Sequence, residues 1–303
     1  MISLRPHARA DVAAKTLLDA ARDGDNVLGS ATAETILDKY RRWASDQIRL
    51  VGQYVHDEEM PRTITTRRYW SIQNLDPNTY GAFELVQYVQ LELRERVELL
   101  RREATLLTLE FNRWNVQGHG IDSSHLRPHA LSAVVLDTNV LLFSHTELGT
   151  RDWHADLCLV KSEPIGLGIP LRVVRELDRS KMANRNVINR GTKDELRKAA
   201  GKALRLLEDA FEDPSERKIL RPQTSTPTAI SPEINLLLIP DRVPGTPLED
   251  ADAEIVDRAL SLIPFAESVH VLSYDAGMVF RARQVGLHAV KLNYPKTGEW
   301  AEE

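Results

Sequence analysis

Between residues 133 and 292 short apolar runs alternate with stretches of helical period, and this pattern admits few folds. The runs are Ala133 to Leu136, "IGLGIPLRVV" at 165–174, "INLLLIP" at 234–240, "VHVLSYD" at 269–275 and "HAVKL" at 288–292. The second passes into a helix at Glu176. Helices are predicted over 140–148, 153–161, 194–212, 253–262 and 276–285. Runs that are apolar throughout suit strands buried on both faces, and strands separated by helices pair in parallel through crossovers. The expected fold class is α/β, a three-layer α/β/α arrangement around a mostly parallel sheet. The Pro- and Thr-rich piece "LRPQTSTPTAISPE" at 220–233 is expected to be a surface loop.

Residues 1–115 have a different pattern. From Ala31 to Val55 the apolar residues Ile36, Tyr40, Trp43, Ile48 and Val51 keep helical spacing. Asp76-Pro77 has the chemistry of a helix start. Phe83 to Trp114 is a long amphipathic run whose Glu92–Arg96 and Glu98–Arg102 pairs stand four apart. Its apolar spacing is too irregular for clean heptads, so a helical bundle is expected rather than a coiled coil. The turn formers of 116–130 make that segment the linker. Its His119, His125 and His129 have no cysteine beside them and read as solvent-exposed residues, not a zinc site. The organisation expected is an all-α accessory domain at 1–115, a linker at 116–130 and an α/β domain at 131–303.

The single cysteine, Cys158, rules out a disulfide within the chain. The sequence begins without the apolar core of a signal peptide, and no uninterrupted apolar run is long enough for a membrane span. A cytoplasmic protein with no membrane partner is expected. The net charge of −5 argues against coating a polyanion by bulk charge, but it hides a contrast. Residues 171–205 hold eleven Lys or Arg against four Asp or Glu. A basic stripe beside acidic residues is a local electrostatic feature that could hold a polyanion.

The acidic residues fall at telling places. Ligands of open parallel sheets bind beyond the carboxyl ends of the strands. Asp137 ends the first run, Glu176 follows the second, Asp275 ends "VHVLSYD", and Asp252 opens the helix "DAEIVDRAL" with Asp250 two residues earlier. One such Asp alone would be read as a helix cap. Four on one edge repel and raise one another's pKa, and a divalent cation relieves this. Oxygen donors without cysteine suit hard cations, so Mg²⁺ or Mn²⁺ is the expected cofactor.

The four motifs "VVLDTNVLL", "VVRELDRSK", "EDADAEIVDRAL" and "VHVLSYDAGMVFRAR" resemble the signatures of the PIN domain nucleases in order, spacing and setting, over about residues 131–295. The resemblance implies a metal-dependent endonuclease directed at single-stranded RNA. It implies that Asp137, Glu176, Asp252 and Asp275 hold one or two Mg²⁺ or Mn²⁺ ions, with Asp250 a further candidate ligand. Asn139 would orient Asp137 or a metal-bound water, and Ser273 stands where the family often has a small hydroxyl residue. The large helical N-terminal region departs from the short PIN toxins; an inhibitor partner is not indicated, and self-association through the N-terminal helices is a candidate role. A catalytically inactive PIN fold that binds RNA or protein is the alternative. A haloacid-dehalogenase-like phosphatase would need Asp where Asn139 stands. The segment after Glu176 carries Arg179, Lys181, Arg185, Arg190 and Lys193, expected to grip phosphates of a single strand. It contains no aromatic residue, so base stacking by this segment is not expected.

Overall fold

The computed structural model describes residues 1–32, 35–75, 82–116, 129–161, 163–182, 193–225, 230–241, 248 and 250–293. The chain divides into two compact units, Met1–Asn112 and Arg113–Glu303.

The first unit is built from α1 (Ala10–Ser30), α2 (Ile36–Val51), the short α3 (Met60–Thr63) and α4 (Arg67–Gln73), and α5 (Ala82–Arg113). Ala10, Ala13, Ala14, Leu17, Ala20 and Ala21 fall on one buried face of α1. Small side chains there allow close packing: the indole N–H of Trp43 on α2 donates to the Ala20 carbonyl at 3.0 Å. A Cβ at Gly24 would come within 2.5 Å of Val97, so α1 and α5 approach at a residue without a side chain. Val89, Leu93, Val97, Leu100, Ala104 and Leu107 form the buried stripe of α5. Two buried acids interrupt it, each held by arginine. Glu92 faces Arg68 at 3.2 Å and Arg96 at 3.4 Å, and Glu103 faces Arg62 at 2.8 Å. The Asp76-Pro77 helix start lies outside the described residues.

The second unit opens with β1 (Asn115–Val116), which pairs antiparallel with β2 (His129–Ala130); residues 117–128 of the expected linker lie outside the described residues. There follow β3 (Ser132–Leu136), α6 (Thr138–Ser144), α7 (Trp153–Leu157), β4 (Ile165–Pro170), α8 (Leu171–Met182) and α9 (Lys193–Ala210). The chain continues through β5 (Arg217–Arg221), β6 (Thr224–Ser225), β7 (Ile230–Ser231), β8 (Ile234–Ile239), α10 (Ala251–Leu260), β9 (Ser268–Ser273), α11 (Ala276–Gln284) and β10 (His288–Lys291). A six-stranded sheet has the order β10-β9-β3-β4-β8-β5. All its pairings are parallel except the edge strand β5, which runs antiparallel to β8. With its flanking helices this is the expected α/β class.

Two sequence expectations need correction. The run 165–174 is not one strand: β4 stops at Pro170 and α8 begins at Leu171. Val173 looks strand-like in isolation, but it and Leu177 bury one helical face four residues apart. The expected loop at 220–233 also contains strand. Leu220 and Arg221 close β5, and β6 pairs with β7. As an edge strand β5 leaves Lys218 and Ile219 exposed, so it lacks the apolar pattern that marks the interior strands.

The core of the sheet is tight at β4. Fully buried Trp114 lies against Gly166 and Gly168, where an added Cβ would stand 3.0 and 3.2 Å from the indole. No helix among the described residues is long and apolar enough to cross a membrane.

Candidate active site

β3 lies between β9 and β4, with Leu136 in register with Leu272 and Val135 with Gly168. The residues that follow these strands therefore emerge along one edge. Asp137 leaves β3 there and caps α6. Its Oδ1 accepts the Thr138 N–H at 2.6 Å, and its Oδ2 accepts the Ser273 hydroxyl at 2.6 Å. Asn139 Nδ2 donates to the same Oδ2 only at 3.5 Å. Asp137 is 5% exposed. Burial pushes its carboxyl up to about 6, against the hydrogen bonds from Ser273 and Thr138, and the carboxylates of Asp252 and Glu176 push the same way as burial.

Glu176 stands in the second turn of α8. Its Oε2 accepts the Thr138 hydroxyl at 2.5 Å, and Arg172 approaches its Oε1 at 3.5 Å. Asp275 caps α11 by accepting the Gly277 N–H at 2.8 Å. Its own N–H donates to Ser273 Oγ at 2.9 Å.

Asp250 and Asp252 have different surroundings. Asp250 caps α10, accepting the N–H groups of Asp252 and Ala253 at 3.0 and 3.4 Å, and pairs with Arg281. That hydrogen bond from Arg281 holds its pKa below the usual carboxylate range. Asp252 is half-buried and accepts no hydrogen bond among the described residues. Burial raises its pKa, with Asp250, Asp275 and Glu176 adding to the rise and Arg281 opposing it.

Of the basic residues expected to grip phosphates, Arg179 and Lys181 are exposed in the last turn of α8. Lys193 is the first residue of α9, and its side chain lies outside the described set, as do Arg185 and Arg190 altogether. Arg172 and Arg175 add to the basic balance of 171–205 but are engaged in ion pairs. Arg172 reaches Glu176 and Glu254 at 3.5 and 3.4 Å, and Arg175 reaches Asp241 and Glu254 at 2.6 and 2.9 Å. Thr138 went unread in the sequence: in "DTN" it looks like an ordinary first helical residue, yet its hydroxyl links α6 to Glu176.

The donors at this edge are all oxygen, which suits a hard divalent cation. Among the described residues no three of His, Cys, Asp and Glu converge closely enough to hold an ion. Mg²⁺ commonly takes one or two carboxylates, with water and substrate phosphate oxygens completing its shell, so a pre-closed cage is not required.

The PIN domain family model matches residues 134–293, which includes all four candidate carboxylates. No curated protein matches the chain. Among solved structures, a domain of a functionally unknown protein from Methanocaldococcus jannaschii DSM 2661 matches at 20% identity, covering 55% of this chain and 94% of that one, with a TM-score of 0.33.

Proposed function

The chain belongs to the PIN domain family, and on that premise we propose that it is a metal-dependent endoribonuclease that hydrolyses phosphodiester bonds of single-stranded RNA. PIN domains are generally nucleases and typically use divalent metals. The observation that carries the reading is a contrast between buried acids. Glu92, Glu103 and Glu254 each face arginine. Asp137 is buried too, has no ion pair among the described residues, and has Asp252 and Glu176 as its charged neighbours. A buried acid with a structural role is normally paired, because an uncompensated charge is strongly destabilising. An unpaired acid facing others is a site built for a cation that arrives with function.

In this reading Asp137, Glu176, Asp252 and Asp275 hold one or two Mg²⁺ or Mn²⁺ ions, with Asp250 committed to its cap and Arg281. When bound, such an ion activates water and stabilises charge on the phosphoryl group. Ser273 and Thr138 keep the oxygens of Asp137 and Glu176 in fixed orientations. Arg179 and Lys181, with Arg185, Arg190 and Lys193, hold substrate phosphates. The test is incubation of single-stranded RNA with Mn²⁺ or Mg²⁺, comparing wild type with Asp137→Asn. Metal-dependent cleavage lost in the variant is expected; equal cleavage by both proteins rejects the site. RNA binding without cleavage would identify a scaffold instead.

A further inference from the structure

We propose that the substrate strand runs from the carboxylate edge into a groove between α6–α7 and α9, where α9 grips its phosphates and Phe143 stacks on an unpaired base. The inference rests on the nuclease reading and places the path of the strand, which that reading leaves open. The groove has a volume of about 1150 Å³ and is lined by residues of α6, α7 and α9, together with Lys181 and Tyr274. Lys181 lies on α8 beyond Glu176, and Tyr274 lies between Ser273 and Asp275 in the chain, so the groove is lined in part by the elements that carry the candidate site.

Its walls differ in charge. Lys198, Lys202 and Arg205 recur at i, i+4 and i+7, one face of α9, and all three are exposed and outside any ion pair among the described residues. The opposite wall carries the acids Glu147, Asp152 and Asp156 around Arg151, which Asp156 holds at 2.6 Å and the Ser144 hydroxyl at 3.1 Å. Ser144 in turn meets the Tyr274 hydroxyl at 3.0 Å. Free positive charge therefore lines α9, where phosphates would lie.

Gly201 stands within this basic face. A glycine inside a helix weakens it, and packing does not require this one, because a Cβ there would meet nothing within 4 Å. It leaves bare backbone between Lys198 and Lys202, where a phosphate approaches more closely than over a side chain. Half-buried Phe143 lines the same groove, edge-on to Tyr274 with ring centroids 5.3 Å apart. A cationic wall with an aromatic residue in the same groove suits a single strand, whose bases are free to stack; a duplex hides those faces.

The experiment measures fluorescence anisotropy of a labelled short oligouridylate on the full chain in EDTA, with a duplex of equal length alongside. Gly201→Glu is expected to weaken single-strand binding by about tenfold or more while the melting temperature stays level or rises. Lys198→Ala with Lys202→Ala should flatten the dependence of log affinity on log salt by ~1.4, at ~0.7 per lost phosphate contact. Phe143→Leu should weaken binding by about fivefold or more. Unchanged affinity in Gly201→Glu, equal affinity for duplex, or no single-strand binding by wild type overturns the groove. The nuclease reading fails separately: binding that depends on α9 without Mn²⁺-dependent cleavage leaves the groove standing, and cleavage indifferent to Gly201→Glu leaves only the nuclease.

Discussion

One hydroxyl joins two of the candidate ligands. Ser273 Oγ donates to Asp137 Oδ2 at 2.6 Å and accepts the backbone N–H of Asp275 at 2.9 Å. The side chain that ends β9 thus orients the carboxylate that ends β3 and holds the turn that presents Asp275. Replacing Ser273 by Ala is expected to lower metal affinity or activity by about 10–100-fold, the usual cost of losing a group that orients a ligand. It should also raise the Asp137 pKa further, since the lost hydrogen bond favours the ionised form. A pH–rate profile in Mn²⁺ whose acid limb does not move to higher pH would contradict this role.

Asp137 should lower the stability of the metal-free protein at neutral pH. Its folded-state pKa is raised from 3.8 to about 6, so between these values the folded state binds more protons than the unfolded state. Stability from this group is therefore present below pH 4 and lost as pH rises through about 6. The loss is on the order of 3 kcal/mol, at 1.36 kcal/mol per pKa unit. Asp137→Asn in EDTA should be more stable than wild type at pH 7.5, and the gap should close near pH 4. Denaturant titrations across that range measure it; a pH-independent gap would show that Asp137 is already paired.

Glu254 ties α8 to α10. It is 1% exposed and accepts Arg172 and Arg175 at 3.4 and 2.9 Å. Because Arg172 also reaches Glu176, this pair holds one candidate ligand opposite the helix that carries Asp252. Glu254→Ala removes the buried partner of both arginines, though Arg175 keeps Asp241 and Arg172 keeps Glu176, so it should cost about 1.5–3 kcal/mol, measured by chemical denaturation. A change below about 1 kcal/mol would show that the pairs are solvated in solution.

Two glycines should respond with opposite signs. A Cβ at Gly168 meets Ile239 at 2.8 Å and Trp114 at 3.2 Å, so Gly168→Ala overpacks β4 and is expected to cost about 1–3 kcal/mol. Gly201→Ala meets nothing within 4 Å in the interior of α9 and should stabilise by about 0.5–1 kcal/mol. Thermal melts of the two variants give the comparison directly.

Much of the second unit was legible because its signals are local. The strands at 132–136, 234–239 and 268–273 are largely apolar and almost wholly buried, Asp137 and Asp275 follow strands, and Asp252 stands in the first turn of a helix. The misreadings arose where local pattern and burial diverge. Val173 and Val174 have strand propensity but occupy the first turns of α8, where burial has helical period. The edge strand β5 has no apolar pattern because only its pairing to β8 makes it a strand. The sequence left Asp250 and Asp252 close rivals, and their difference lies in Arg281, on a helix that begins beyond β9.

From sequence alone, then, follow the α/β class of the C-terminal region, the helical character of the N-terminal one, and the choice of candidate acids near strand ends and helix starts. Periodicity and end chemistry belong to neighbouring residues, so they can be read along the chain. The pairing of charges cannot. Tertiary structure gives Glu254 two arginines and Asp137 none among the described residues, adds the Thr138 hydroxyl on Glu176 to that of Ser273 on Asp137, and sets Phe143 in the groove that α9 lines. Each of these depends on distances of a few ångströms between residues remote in the chain, and charge and hydrogen bonding fall off too steeply with distance for spacing in sequence to stand in for them.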